Sequence, residues 1–187
     1  MHADLSMGTS GRATLERSQV AAWLGRSFGA WTVRVVGGGI LNGKWQGVTA
    51  SADVRPGWIA GVTAGRTWLA ADGWRPFLRT SAALAGTGHG LSDGSSLLAF
   101  DLRVGGDVGW RLPGGVEVFA VARTFGGPVL WSRPGLAQDS GTDRWHYQLG
   151  AGLAWSPTVR LPVMPGLFVE GVPLGELGVS AGLALAF

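Results

Sequence analysis

Residues 98–110 alternate along their whole length. Leu98, Phe100, Leu102, Val104, Val108 and Trp110 share one parity with Gly106, while Ala99, Asp101, Arg103, Gly105, Asp107 and Gly109 hold the other. Successive side chains of an extended chain point to opposite faces, so a period of two predicts a β-strand with one apolar face and one charged or small face. A typical strand has only five or six residues, so a run this long demands a tall sheet. The last residues repeat the pattern. Leu177, Val179, Ala181, Leu183, Leu185 and Phe187 stand against Gly178, Ser180, Gly182, Ala184 and Ala186. In a third run, Trp145, Tyr147, Leu149, Ala151, Leu153 and Trp155 stand against His146, Gln148, Gly150, Gly152, Ala154 and Ser156, with an aromatic ring at each end of the apolar face.

Tall strands with an apolar face need something to cover that face, and water is a poor candidate here. Hydrophobic residues make up 46% of the chain and charged residues 14%, too few charges for an ordinary wetted surface. Lipid is the alternative. A helical crossing needs about 20 successive apolar residues, and the best candidate stretches are broken by Arg66, by Pro157 and Pro162, or by Glu170 and Glu176. The remaining way to satisfy every backbone group in lipid is a closed antiparallel barrel. An eleven-residue strand tilted by about 40° rises roughly 27 Å, which matches the apolar band of such barrels. The 33 glycines suit a curved sheet, and the ten tryptophans suit the water–lipid boundary. Trp110, Trp145 and Trp155 are the expected interface aromatics.

Weaker alternation predicts further strands at 15–25, 31–40, 47–55, 58–69, 77–86, 116–125 and 167–172, about ten in all, with eight or twelve left open. Turn residues separate them, including Asn42-Gly43, Arg55-Pro56-Gly57, Asp72-Gly73 and Pro113-Gly114-Gly115. Residues 1–10 are expected to be a flexible tail and 11–187 a single up-and-down transmembrane barrel. If the last strand ends in the periplasm, the short 113–115 turn is periplasmic and the long 126–144 segment lies outside. The start Met1-His2-Ala3-Asp4 lacks the basic and apolar regions of an export signal, so the chain reads as a mature protein.

An alternating last strand ending in Phe187 resembles the closing strand of small bacterial outer-membrane β-barrels. That resemblance implies an outer-membrane location, contact with outer-membrane lipids, and an assembly signal at Leu183, Leu185 and Phe187 read by the barrel-assembly machinery. It names a family of folds rather than one activity.

In such a barrel the charges on the inner parity must pair. Arg34, Asp53, Arg55, Arg66, Arg79, Asp101, Arg103, Asp107, Glu117 and Arg123 are the predicted lumen network, serving either as a structural plug or as the lining of a narrow solute path. The 126–144 segment, with Val129, Leu130 and Trp131 followed by Arg133, Asp139, Asp143 and Arg144, is a candidate site for a protein partner. The expected role is therefore a structural or anchoring element or a narrow pore. One alternative is an outer-membrane enzyme acting on lipid or peptide. His89, Ser92, Asp93, Ser95 and Ser96 crowd one loop, but a catalytic triad needs a rigidly held base and an oxyanion hole. A soluble ligand-binding β-barrel is the other alternative, with its apolar parity inward. His146 is expected to face the lumen beside Gln148. No catalytic residue, metal site or cofactor is predicted. With no cysteine, thiol chemistry is excluded. The net charge of +3 is too dispersed to suggest nucleic acid.

Overall fold

The computed structural model describes residues 2–8, 11–47, 51–71, 74–157, 164–175 and 178–186. Among them it is an antiparallel all-β protein. Its twelve strands are β1 (His2–Met7), β2 (Gly11–Phe28), β3 (Trp31–Gly47), β4 (Ser51–Leu69), β5 (Phe77–Leu91), β6 (Ser96–Leu112), β7 (Val116–Gly126), β8 (Pro128–Ser132), β9 (Asp139–Asp143), β10 (Tyr147–Trp155), β11 (Met164–Gly175) and β12 (Gly178–Ala186). A 3-10 turn, Pro113–Gly115, joins β6 to β7, and Gly114 and Gly115 take the positive φ it requires. No helix among the described residues is long and apolar enough to cross a membrane.

Eight strands pair in a ring, in the order β1, β2, β3, β4, β5, β6, β8, β9 and back to β1. This ring occupies the end of the molecule that carries the 92–95 turn, here called the upper end. Toward the lower end, marked by the Pro113–Gly115 turn, β6 pairs instead with β7, and β10, β11 and β12 follow in turn. β7 and β8 keep one register against β6, so together they act as one tall strand. β9 and β10 form another, shifted by one residue where Thr142 faces Pro128 but Tyr147 faces Thr124.

Several sequence-based boundaries are corrected. Residues 2–7, expected to be part of a tail, form β1, because Ala3, Leu5 and Met7 fill a buried cluster. Asn42-Gly43 and Arg55-Pro56-Gly57 do not end strands. The chain runs through them as irregularities in β3 and β4, where the register shifts near Leu41 and between Val54 and Gly57. Proline is tolerated at such a point because its missing N–H interrupts no ladder bond. The expected loop 126–144 is mostly strand, leaving 133–138 between β8 and β9. Asp72-Gly73 and Phe187 lie outside the described residues, and the side chains of Leu183 and Leu185 are likewise not described.

Candidate functional site

The two faces of the sheet exchange character part-way along the strands. On β2, the outward positions read Arg12, Thr14, Glu16 and Ser18, then Val20, Ala22 and Leu24, while the inward positions pass from Ala13 and Leu15 to Arg17 and Gln19. β4 does the same. Asp53 and Arg55 are exposed above the bulge and Val54 is buried, whereas below it Trp58, Ala60 and Val62 are exposed and Thr63 turns in. β2 and β4 therefore each have an upper part built like a water-soluble protein and a lower part built the other way round.

In the upper part the ring is filled. Ile40, Trp45, Val54, Leu91, Leu97, Val129 and Trp131 pack with the β1 residues into one apolar cluster. The rings of Trp45 and Trp131 lie 5.2 Å apart, tilted by 52°. The turn after β5 is tied to this cap. Trp131 Nε1 donates to Ser95 Oγ at 3.1 Å, and Ser95 donates from its hydroxyl (2.6 Å) and its backbone N–H (3.0 Å) to Asp93 Oδ1. Those two donors, the hydroxyl foremost, hold the Asp93 carboxyl below the usual carboxylate range. The Ser95 hydroxyl is thus committed to a carboxylate, and the buried His89 leaves its Nδ1 without a hydrogen-bond partner. That arrangement does not assemble a nucleophile with its base.

Below the cap the interior is charged and paired. Arg103 binds Asp101 through Nη2 at 2.8 Å and reaches Gln148 at 3.3 Å, with its guanidinium 4.7 Å from the Phe125 ring centroid. Arg123 grips both oxygens of Glu170, at 2.5 and 2.6 Å. Lower still, Arg79 joins Asp107 at 2.6 Å and Glu117 at 3.1 Å, and Arg111 reaches the other Glu117 oxygen at 2.5 Å. Arg34, on the same inward side as Thr63, lies 4.8 Å from the Trp23 ring centroid. Two partly open cavities, of about 730 and 570 Å³, occupy this region. Trp23, Arg123, Phe168 and Glu170 line both, so the Arg123–Glu170 pair stands as a partition between them.

Of the ten residues predicted to form a lumen network, the structure brings Arg34, Arg79, Asp101, Arg103, Asp107, Glu117 and Arg123 to the inward face. Asp53 and Arg55 are placed elsewhere, on the exposed outer rim, because the β4 bulge reverses parity at Pro56. Arg66 is also placed elsewhere. It pairs across the ladder with Trp31 and shares that outward face, its guanidinium 3.9 Å from the Trp68 ring centroid and 5.5 Å from that of Trp31. His146 is exposed at the β9–β10 irregularity rather than facing inward beside Gln148, and its Nδ1 is 3.3 Å from the Phe125 carbonyl. Gln148, expected to face the lumen, joins the network through Arg103, whereas Glu170 and Arg111 complete it but were not assigned to it from the sequence. Their alternation was readable, but which distant strands they meet was not.

Outside the lower part, Phe100, Leu102, Val104, Val108 and Trp110 are exposed, as are Leu149, Leu153, Leu167 and Val169. Aromatic residues bound this band. Trp58 and Trp68, Phe100 and Trp110, and Trp145 and Trp155 are each ten residues apart on one tall strand, and all six are exposed. Ten residues at about 3.3 Å each, tilted near 40°, rise about 25 Å. Trp155 donates to the Gly114 carbonyl in the lower turn at 3.1 Å, and Trp145 donates to Asp4 near the upper ring at 3.3 Å. Among the described residues no group of three or more potential ligands could hold a metal ion. The chain matches no protein-family model and has no match among curated proteins.

Proposed function

We propose that this protein is a small transmembrane β-barrel of a bacterial outer membrane, acting as a non-conducting anchor that holds its capped upper rim above the lipid. One observation carries the reading: the reversal of inside and outside along the same strands. A soluble protein rarely exposes a contiguous apolar patch of more than a few hundred Å². Here a whole belt of valine, leucine and aromatic side chains faces outward over a height that suits a hydrocarbon core, while the charged residues of the same strands turn in and pair or stack on aromatic rings. Where the belt stops, the ordinary order resumes, with polar residues outside and an apolar core within.

The cap and the partition favour an anchor over a pore. The Trp45–Trp131 cluster fills the upper ring, and Arg123–Glu170 divides the space below it. The exposed rim between β8 and β9, including Leu136, is then the surface offered to a protein partner. Refolding into phosphatidylcholine vesicles tests this directly. The expected outcome is co-flotation with lipid and a silent planar-bilayer recording. A monomer that stays in solution without detergent contradicts the membrane reading, and steady single-channel steps contradict the plug.

A further inference from the structure

The upper ring closes, and among the described residues the lower sheet does not. β1 covers the free edge of β2 only as far as Glu16, the partner of His2. Below that, residues 17–28 of β2 have one neighbour among the described strands, namely β3. β12 is in the same position, paired with β11 and with no other described strand. The two edges face each other. Arg17, Ser18, Gly178 and Val179 line both the 730 Å³ cavity and an outer groove of about 1340 Å³, so interior and exterior meet laterally at this seam.

Strand direction decides what fits. From β2 to β7 and on through β10, β11 and β12, every neighbour is antiparallel. That is nine strands, an odd number, so β2 and β12 both run from the upper end to the lower. They cannot complete an antiparallel ladder with each other, whereas one upward strand between them would complete it on both sides. β1 already runs upward in that slot at the top, bonded to β2 on one side and to β9 on the other. Exposure at one lip agrees with a missing neighbour: Val179 is 80% exposed, against 44–61% for Val35, Val62 and Val104 in the middle of the sheet.

We propose that the seam is a strand-binding site, filled by one further β-strand that continues β1 on its N-terminal side and runs antiparallel to β2. The proposal rests on the membrane reading, because in lipid each unpaired backbone group at an edge is costly. The slot dictates the pattern of its guest. Residues beside Val20, Ala22 and Leu24 are to be apolar, and those beside Gln19, Ala21 and Trp23 small or polar, facing the cavity.

The test compares the chain as it stands with one carrying an alternating extension of about ten residues before Met1, and with a third whose extension is moved by one residue so that its faces are exchanged. Each is refolded with phosphatidylcholine vesicles. A cysteine in the extension opposite Val20→Cys reports strand addition as a disulfide, and Val20→Cys with Val179→Cys in the unextended chain reports direct zipping. The proposal expects the first disulfide, a shift of urea unfolding to higher concentration, and loss of both effects in the exchanged-face chain. A Val20→Cys to Val179→Cys disulfide in the unextended chain overturns it, because the seam then closes without a guest. Equal behaviour of the two extensions overturns it as well. The disulfides decide the seam whether or not the protein floats with lipid, and flotation alone decides the membrane reading.

Discussion

Removing the Glu170 carboxylate leaves the Arg123 guanidinium without its two-pronged partner inside the sheet. Breaking one side of a buried pair costs more than replacing both sides. Glu170→Ala is therefore expected to lower stability by about 3 kcal/mol in urea unfolding of the refolded protein, and the Arg123→Met/Glu170→Met double variant by less. A double variant as unstable as the single one would mean that packing at Phe168, not charge, sets the cost. Asp93 gives a pH-dependent expectation. Its carboxyl is depressed by the Ser95 hydroxyl, so its contribution to stability is complete above the ordinary carboxylate pKa and is lost as pH falls through the lower, folded value. The stability gap between the wild type and Asp93→Asn should thus be constant near neutrality and close only in acid. A gap that instead widens in acid contradicts the sign.

At the scale of the element, the alternation within a strand was legible and its irregularities were not. Residues 98–110 alternate without interruption, and β6 carries its two faces as read. β4 carries Pro56, and a proline–glycine pair reads as a turn. The chain instead passes through it as a bulge, and every assignment upstream changes face, which is why Asp53 and Arg55 were expected inside. Periodicity gives a residue its face but not its partner. Arg123 and Glu170 are 47 positions apart, and nothing local to either one announces the other. The cap was hidden for a related reason. Ala3, Leu5 and Met7 alternate over too short a stretch to distinguish a buried strand from a tail, and only pairing with both β2 and β9 decides it. Trp131 is the wedge of that cap, so Trp131→Ala should cost about 3 kcal/mol and leave a cavity within the upper ring. A loss below about 1 kcal/mol in thermal or urea unfolding would show that the cap is not a packed core.

For the whole molecule, the reversal between an apolar-cored upper ring and an apolar-skinned lower sheet carries the membrane reading. An arginine placed in the middle of the outward belt should be penalised by lipid and not by water. Leu102→Arg is expected to destabilise the refolded protein by about 2–4 kcal/mol in vesicles, whereas Gln46→Arg, exposed on the upper, polar part of β3, should have little effect. Comparable losses from the two would mean that position 102 does not meet hydrocarbon.

The most direct measurement follows β6 residue by residue. Single cysteines at 100, 101, 102, 103, 104 and 107 would carry a fluorophore, in vesicles made with acyl-chain-brominated lipid. Strong quenching is predicted at Phe100, Leu102 and Val104 and weak quenching at Asp101, Arg103 and Asp107, in step with the strand. Quenching of the opposite parity, or of none of the six, would show that the belt does not face lipid.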